Sequence, residues 1–473
     1  MTKPGKPATQ CRLCWDRGTL ILTDPQHVEV VQELPGVVWD PRTSVHRAPG
    51  WRYYEIKAAI AEQALPVLDD VIPSRRQPTP TSAPTLRHYQ AAAVAAWRAA
   101  EKRGIMVLPT GAGKTRTAAV CIATLGMRTL VLVPTRVLLE QWWHTLSKLG
   151  FAADDLGRYG DGVREERPIT ISTFASAKIH MAQLGCLFDL LIVDECHHFG
   201  SGFGDEALEM CSAPARLGLT ATPPEEAARI ESVGRLVGPV VCRSTIDDLS
   251  GVFLAPFDLV TLQLRLSPEE RATYDEAMST FRPVCRDFFS AAPQATWPQF
   301  VAAAMRNEVG QRALAAFRCS RKIVAFASPK RAVVRELLRR HQHQHVLVFT
   351  ADNEAAYHVA LELLVMPITC DIGRAERADA LGRFAEGKLT TLVSARVLNE
   401  GLDVPSAEVA ILVAGAHGSR EYVQRVGRVL RPAEGKQAVI YELVIDNTHE
   451  MRELERGRRR LAAKEPATVP SRW

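Results

Sequence analysis

Two short segments carry side chains that could act on a phosphate group, and the first is LPTGAGKT (108–115). An apolar run precedes this segment and an alanine-rich helical pattern follows it. Small residues let backbone N–H groups face phosphates, and a helix N-terminus favours anions. The pattern predicts a phosphate-binding loop in which Lys114 reaches the outer phosphates and the Thr115 hydroxyl binds Mg²⁺. The loop residues expected around the phosphates also include Thr110, Gly111 and Gly113.

The loop departs from its strict pattern at one position. That pattern begins with glycine, and here the residue is Leu108. A glycine-rich turn that merely exposes a lysine is the alternative interpretation. The strand-like run before the loop and the helical pattern after it favour the phosphate-binding loop.

The second segment, LLIVDECHH (190–198), is an apolar strand that ends in two carboxylates, a cysteine and two histidines. A zinc protease places two histidines four residues apart on a helix, whereas His197 and His198 are adjacent and follow a strand. A phosphate-binding loop requires an acidic strand end beside it. We therefore expect Asp194 to complete the magnesium shell and Glu195 to orient and deprotonate the attacking water. His197 is expected to sense the phosphate through a hydrogen bond.

The elements around these segments alternate between short apolar strands and helical patterns, which favours parallel sheets covered on both faces. The strand-like runs are IMVL (105–108), LVLV (130–133), ITIS (169–172), LLIV (190–193), LGLT (217–220), VLVF (346–349), TLVS (391–394) and VAILV (409–413). The predicted organisation is a small N-terminal mixed α/β domain (1–72), a proline-rich linker (73–84), an ATP-binding domain (85–250), a largely helical segment (251–335), a second α/β domain (336–455) and a basic tail (456–473).

The composition is typical of a folded protein of several domains, with 473 residues, 47% hydrophobic and 23% charged. No apolar run approaches the roughly 20 residues of a membrane span. The start of the chain lacks an apolar signal core, so we expect a cytoplasmic protein whose 10 cysteines are reduced thiols. The net charge of +5, with arginines concentrated from Arg452 to Arg460, permits a nucleic-acid partner.

Asp-Glu-Cys-His is a DExH box, and the chain resembles superfamily-2 helicases over most of residues 86–432. The matching blocks, in the family's order, are LRHYQ (86–90), VLVPTRVLLEQW (131–142), ISTF (171–174), LTATP (219–223), VLVFTAD (346–352), LVSARVLNEGLDVP (392–405) and QRVGRVLRP (424–432). The resemblance implies two RecA-like parallel-sheet domains in tandem, joined by a helical insertion. It also implies that ATP and Mg²⁺ are used to move along a nucleic-acid strand.

The resemblance assigns roles to further residues. Gln90 is expected to read the adenine, and Thr220 and Thr222 to couple hydrolysis to motion. Arg428 and Arg431 are expected to act as arginine fingers on the phosphates. Gly401, Asp403 and Gln424 are expected at the nucleotide. The residues expected to hold the nucleic-acid strand are Thr135, Arg136, Thr173, Thr350 and Ser394.

A narrower resemblance is to prokaryotic XPB-type proteins, carried by LPGVVWDPRTSVHRAP (34–49), RLVGPVVCR (235–243) and GVFLAPF (251–257). It implies a DNA helicase or translocase with 3′ to 5′ polarity and an N-terminal domain for distorted DNA. Such a protein serves repair or DNA processing beside a separate nuclease. The Arg-Glu-Asp tripeptide of this branch is replaced by PPEEAARIE (223–231), which argues against a duplex-wedging role there.

Three other functions stay open at this point. The strand-gripping blocks contact backbone and do not separate DNA from RNA, so an RNA-directed helicase is one alternative. The second is a motor subunit of an antiviral or restriction nuclease complex. The third is a module that clamps DNA through its ATP site, against which Glu195, Arg428 and Arg431 argue.

Several weaker signals have ordinary structural interpretations. Cys11 and Cys14 have half of a zinc-site spacing without a second pair. Asp40 with Glu55 and Lys57 only faintly resembles a nuclease core. The HQHQH segment (341–345) is expected to be a polar loop. Trp142, Trp143 and Trp297 could stack on bases, but the apolar helical pattern around Trp142 and Trp143 favours a core position for those two.

Overall fold

The computed structural model describes residues 11–23, 28–160, 162–224, 226–249, 253, 255–395, 407–413, 437–452 and 454. The chain divides into two compact units, residues 1–248 and 249–473. The described residues form two sheets in the first unit and one in the second, and each unit has its own buried core.

The first unit begins with a five-stranded sheet in the order β3-β4-β2-β1-β5, in which only β1 and β5 pair in parallel. Leu13 and Leu20 on the sheet pack with Ile56 of the helix at 53–62 in a small apolar core. The elements are β1 (Cys11–Asp16), β2 (Thr19–Thr23), α1 (Val28–Glu33), β3 (Val38–Asp40), β4 (Val45–Pro49), α2 (Tyr53–Glu62) and β5 (Val67–Asp70).

Two tryptophans attach this small sheet to the rest of the unit. Trp51 is 3% exposed and belongs to the core of the larger sheet that follows. The guanidinium of Arg235 lies 5.0 Å from the centre of its ring. The Trp15 indole N–H donates to the Ala182 carbonyl over 3.2 Å. Burial of the Trp51 ring and the hydrogen bond of Trp15 therefore join the small sheet to the larger one.

The larger sheet has eight strands in the order β13-β6-β12-β11-β7-β10-β8-β9, and all neighbours are parallel except β8 and β9. Its central strands are buried on both faces, as covering helices require. The strands are β6 (Arg103–Val107), β7 (Thr129–Val133), β8 (Leu156–Gly160), β9 (Val163–Arg164), β10 (Ile169–Thr173), β11 (Leu190–Asp194), β12 (Ala215–Thr220) and β13 (Val240–Arg243). The helices are α3 (His88–Ala99), α4 (Lys114–Leu125), α5 (Arg136–Lys148), α6 (Phe174–Leu184), α7 (Glu206–Glu209), α8 (Ala227–Leu236) and α9 (Ile246–Leu249).

The second unit contains a parallel sheet of six described strands in the order β14-β19-β18-β15-β17-β16. Its strands are β14 (Phe257–Leu264), β15 (Val346–Phe349), β16 (Met366–Ile368), β17 (Thr391–Ser394), β18 (Val409–Leu412) and β19 (Ala438–Ile445). Its helices are α10 (Pro268–Ala291), α11 (Trp297–Ala304), α12 (Glu308–Ala325), α13 (Ser328–Arg340), α14 (Asn353–Leu363) and α15 (Arg374–Ala385).

The mixed α/β class with parallel sheets is confirmed, with one correction inside the second unit. Residues 257–264 were expected in the helical segment, yet they form β14, an edge strand beside β19. Because β14 is only partly buried, FDLVTLQL is not a continuous apolar run and gave no clear strand signal. The helices from Ser267 onward agree with the sequence, and Ser267 and Glu270 form the expected capping box.

No helix in the described part of the chain is long and apolar enough to cross a membrane.

The second unit contains a buried ion pair. The Lys330 ammonium at the start of α13 is 2.7 Å and 2.9 Å from the two carboxylate oxygens of Glu450, and the side chains are 0% and 3% exposed. Glu450 also accepts a hydrogen bond from the Ile445 backbone N–H over 2.9 Å. The pair therefore ties α13 to the chain that follows β19.

We predict that Lys330→Met destabilises the second unit by about 3–5 kcal/mol, because it leaves the Glu450 carboxylate buried without a cation. The measurement is urea unfolding of the full chain, followed by circular dichroism. Lys322→Met is the matched control, since Lys322 pairs with Glu354 at the surface, with side chains 64% and 60% exposed. Surface pairs contribute little. Equal effects of the two substitutions would contradict the prediction.

Candidate active site

The sheet register brings the segments that could act on a phosphate group to one edge. β12 lies between β6 and β11, with Thr220 paired to Val107 and Leu219 paired to Asp194. The carboxyl ends of parallel strands meet at the same edge, where ligands of such sheets bind. The phosphate-binding loop follows β6, the acidic pair ends β11, and LTATP continues β12.

The loop from 108 to 113 has the backbone that its glycines allow. Gly111 and Gly113 have φ of 86° and 77°, and Gly113 is the N-cap of α4. A Cβ atom on Gly113 would lie 2.6 Å from Nε2 of Gln90. Leu108 is fully buried, and its N–H donates to the Thr220 carbonyl over 2.9 Å. Leu108 is not among the residues with positive φ, so glycine is not required there.

The Gln90 side chain is hydrogen-bonded to the phosphate-binding loop. Its side-chain carbonyl accepts from the Arg87 backbone N–H over 2.9 Å, and its amide donates to the Ala112 carbonyl over 2.9 Å. The Tyr89 hydroxyl donates to the same carbonyl over 2.7 Å. Gln90 is 3% exposed, so these contacts place its side chain against the loop, and its role as the adenine reader stays a prediction.

Asp194 is 4% exposed at the end of β11. Oδ1 accepts from the Glu195 backbone N–H over 3.0 Å, and Oδ2 accepts from the Trp142 indole N–H over 2.8 Å. Burial and then the adjacent Glu195 charge raise the pKa of Asp194 to about 6. A divalent cation bound beside Asp194 would favour its charged form.

Glu195 has a backbone conformation that L-residues rarely adopt, with φ of 51° and ψ of 47°. Such strain concentrates at functional sites. Oε1 lies 3.5 Å from the Lys114 ammonium and Oε2 lies 3.3 Å from Nδ1 of His197. Burial acts to raise the pKa of Glu195, but the Lys114 charge and the His197 hydrogen bond outweigh it and lower the pKa. The Lys114 ammonium therefore favours the ionised form of Glu195.

His197 connects the acidic pair to the next strand. Its Nδ1 lies 3.0 Å from the Thr220 hydroxyl oxygen. The Thr220 hydroxyl donates to the Thr222 carbonyl over 2.7 Å, so it can only accept from His197, and Nδ1 carries the proton. Arg229 holds this turn by donating to the His197 carbonyl over 2.8 Å. His197 Nδ1 thus lies between Oε2 of Glu195, at 3.3 Å, and the Thr220 hydroxyl, at 3.0 Å, so a change at Glu195 can reach LTATP through this ring.

The residues present fit a magnesium–nucleotide group. Thr115, the second residue of α4, offers a hydroxyl, and Asp194 offers a carboxylate at the end of β11, two strands from β6 in the sheet. Mg²⁺ prefers such oxygen ligands and is held in nucleotide sites by one or two side chains plus phosphates. The left-handed turn at Gly113, whose Cβ position lies 2.6 Å from the Gln90 amide, fits the kind of backbone cradle that binds phosphates.

The predicted strand-gripping residues differ in accessibility. Arg136 is exposed at the start of α5, and Thr135 caps that helix by accepting from the Leu138 N–H over 3.3 Å. Thr173, Thr350 and Ser394 are 6%, 0% and 0% exposed. Thr173 caps α6, and the Thr350 hydroxyl donates to the Asp352 carbonyl over 3.0 Å. At these three buried positions, strand contact would have to come from neighbouring backbone groups.

Part of the predicted nucleotide site lies outside the described residues. The positions are Gly401, Asp403, Gln424, Arg428 and Arg431, together with the basic tail 456–473. Their assigned roles stay predictions.

The weaker signals resolve as structural features where they are described. Asp40 pairs with Arg42 and Arg47, Glu55 with Arg52, and Lys57 with Asp69, so the three nuclease-like residues each have another partner. Cys11 and Cys14 lie on β1. No group of three or more His, Cys, Asp or Glu side chains within the described residues could hold a metal. Trp142 is buried at 1%, as predicted, whereas Trp143 is only partly buried because it lies off the buried face of α5, and Trp297 is 42% exposed.

The comparisons with known proteins define the class first. Residues 83–225 match the model "Type III restriction enzyme, res subunit", and residues 329–433 match the helicase conserved C-terminal domain. The structure resembles the Hef helicase domain of Pyrococcus furiosus at 17% identity, with a TM-score of 0.52 over 79% of this chain and 98% of that chain. Fold and motifs together define a superfamily-2 helicase with two RecA-like domains.

The family follows from the N-terminal match and from the relatives. Residues 13–71 match the xeroderma pigmentosum group B helicase damage recognition domain. The chain is 34% identical to DNA 3′-5′ translocase XPB2 of Sulfurisphaera tokodaii over 90% of this chain and 96% of the relative. It is 30% identical to DNA 3′-5′ helicase XPB of Mycobacterium tuberculosis over 76% of this chain and 60% of the relative. The chain belongs to the XPB family of helicases.

Sequence reasoning missed how three residues serve the site. Trp142 was assigned to the core without its bond to Asp194, and Arg229 was noted only as part of a departure. Tyr89 joins Gln90 on the loop. Of these three residues, only Trp142 in VLVPTRVLLEQW could have been noticed in the sequence. A buried indole N–H needs a hydrogen-bond acceptor, and this one follows a segment expected at the site.

We predict that Gly113→Ala weakens binding of a fluorescent ADP about tenfold or more, because the added Cβ meets Gln90 and the left-handed turn is strained. Gly126→Ala is the control. Gly126 caps the other end of α4 with φ of 59°, and no atom lies within 4 Å of its Cβ position. Fluorescence anisotropy compares the two variants, and equal loss of ADP affinity would contradict the role of the cradle.

Proposed function

We propose that this XPB-family protein is a DNA-stimulated ATPase that moves 3′ to 5′ along a DNA strand with Mg²⁺ as cofactor. The observation that carries the proposal is the chain Lys114, Glu195, His197 and Thr220, which joins a phosphate-binding lysine to the block expected to couple hydrolysis to motion. The names of the relatives, a 3′-5′ translocase and a 3′-5′ helicase, support the polarity.

The hydrolytic step uses residues placed around one strand edge. Lys114 and the backbone N–H groups of its loop hold the outer phosphates, and Thr115 with Asp194 would hold Mg²⁺. Bound Mg²⁺ neutralises charge on the phosphates. Glu195 orients a water and accepts its proton as that water attacks the terminal phosphorus, while the bond to ADP breaks. The resulting neutral Glu195 loses its charge interaction with Lys114, and His197 transmits the change to Thr220.

The wider setting is also a proposal. DNA that is distorted or partly single-stranded is the proposed substrate, because residues 13–71 match a damage recognition domain. We further propose a role in DNA repair or processing in the cytoplasm, beside a separate nuclease subunit. Arg428 and Arg431 are proposed as the arginine fingers and Gln424, Gly401 and Asp403 as nucleotide contacts.

The RNA-directed helicase and the restriction motor have weaker support from the comparisons. A likeness to S. cerevisiae Dbp5 bound to RNA has a TM-score of 0.53 at 16% identity, which concerns the fold and not the substrate. The restriction-enzyme model covers residues 83–225 alone, whereas XPB relatives match from 74% to 90% of the chain. The relatives therefore favour the XPB type over a restriction motor.

The test is steady-state ATP hydrolysis without polymer and with single-stranded DNA, duplex DNA or RNA. We expect DNA to stimulate hydrolysis, and Glu195→Gln to lower the stimulated rate by about 10²-fold or more, because it removes the proton acceptor. Nucleotide binding should persist in Glu195→Gln, since Lys114 and the loop remain.

Gln263→Glu, the reverse exchange of amide and carboxylate, is the control at a position outside the site, because Gln263 lies on β14 in the second unit. It should hydrolyse ATP at the normal rate. Stimulation by RNA alone would replace the DNA motor with the RNA-directed alternative. An active Glu195→Gln would remove Glu195 from its proposed role.

A further inference from the structure

Trp142 is a buried tryptophan whose hydrogen-bond partner is a candidate metal ligand. Its indole N–H donates to Oδ2 of Asp194 over 2.8 Å, and the two residues are 1% and 4% exposed. The contact joins α5 to the end of β11, across 52 residues of sequence. The resemblance to known helicases gave Trp142 no role.

Packing alone accounts for the burial of Trp142 but not for its partner. Leu139, Trp142 and Leu146 form the buried face of α5, as expected for an amphipathic helix. A core indole needs an acceptor, and a backbone carbonyl suffices. Trp97, fully buried in the same unit, donates to the Arg216 carbonyl over 2.9 Å. Trp142 instead uses the carboxylate expected to hold Mg²⁺.

The hydrogen bonds on Asp194 fix both of its oxygens. Trp142 occupies one lone pair of Oδ2, and the Glu195 N–H occupies one of Oδ1. Each carboxylate oxygen keeps a second lone pair for a cation or its water. Donors behind a metal ligand set its orientation, and their loss typically costs about 10–100-fold in metal affinity or activity.

The start of α5 carries two residues predicted to contact the nucleic-acid strand. Thr135 is its N-cap and Arg136 its first residue, and Arg136 is exposed. Trp142 lies six residues after Arg136, which corresponds to about 9 Å along a helix. The backbone hydrogen bonds of α5 link this exposed start to Trp142.

We propose that Trp142 is a positioning residue that couples strand binding at the start of α5 to the Mg²⁺ ligand Asp194. A strand phosphate held at Thr135 and Arg136 fixes α5, and the indole N–H then fixes the Asp194 carboxylate. The part of this inference that concerns the nucleic-acid strand rests on the proposed DNA-stimulated ATPase. The part that concerns the metal, its metal end, rests on the Trp142–Asp194 contact.

The first experiment measures binding of a fluorescent ADP with and without Mg²⁺, in the absence of DNA. Trp142→Phe keeps an aromatic ring but removes the N–H. We expect Mg²⁺ to strengthen ADP binding by wild type about tenfold more than by Trp142→Phe, with binding free of Mg²⁺ unchanged. An equal Mg²⁺ increment in the two proteins would overturn the metal end of the proposal.

Trp97→Phe is the matched control, because it also removes a buried indole N–H hydrogen bond in the first unit. It should lower the melting temperature to a similar extent and leave the Mg²⁺ increment intact. The same loss of increment in Trp97→Phe would show a general loosening of the unit and overturn the proposal. Trp142→His, which keeps a ring N–H, is the second variant, and it should retain part of the increment.

The second experiment measures ATP hydrolysis with and without single-stranded DNA at saturating Mg²⁺. We expect the stimulation ratio of Trp142→Phe to fall severalfold, while Trp97→Phe keeps the wild-type ratio. An unchanged ratio in Trp142→Phe would overturn the coupling. Wild type that no DNA stimulates would instead refute the proposed function, and the Mg²⁺ increment would still decide whether Trp142 positions Asp194.

Discussion

Two adjacent carboxylates at the end of a buried strand are costly, because each must give up water and each repels the other. Asp194 and Glu195 persist because their surroundings supply compensating partners. The Lys114 ammonium and the His197 ring face Glu195, and two N–H groups face Asp194. Oε1 of Glu195 faces the lysine, and Oδ2 of Asp194 faces the indole. The rest of the first unit is arranged around this requirement.

The parallel sheet is what makes such an arrangement possible. Neighbouring strands end at the same edge, so segments far apart in sequence deliver a lysine, an acidic pair and a threonine to one place. Helices that cover the sheet then bring their own side chains to the same edge. Trp142 arrives from α5 in this way, and Gln90 from α3. A site built on strand ends and helix starts is stiff, which suits chemistry that depends on position.

The sequence predicted those parts of the structure that local physical requirements determine. Central strands such as Leu190–Asp194 are buried on both faces and therefore read as continuous apolar runs. The phosphate-binding loop could be predicted from the sequence because its backbone requires glycine at 111 and 113. The edge strand Phe257–Leu264 was missed, since its partner Ala438–Ile445 is far along the chain and its own pattern is mixed. The bond between Trp142 and Asp194 was missed because only the strand order brings the two together.

The contact made by Trp15 and Trp51 gives the first unit an unusual relation between sequence modules and folding. Residues 13–71 form a recognisable module. Yet Trp51 completes the core of the neighbouring sheet, and Gly185 leaves so little room that a Cβ there would touch the Trp15 ring at 2.8 Å. Removing the module would open an apolar hole in the motor, and isolating it would strand two tryptophans in water. The two parts therefore depend on one another structurally, and a graft of this module onto another motor has to include the surface that receives Trp15 and Trp51.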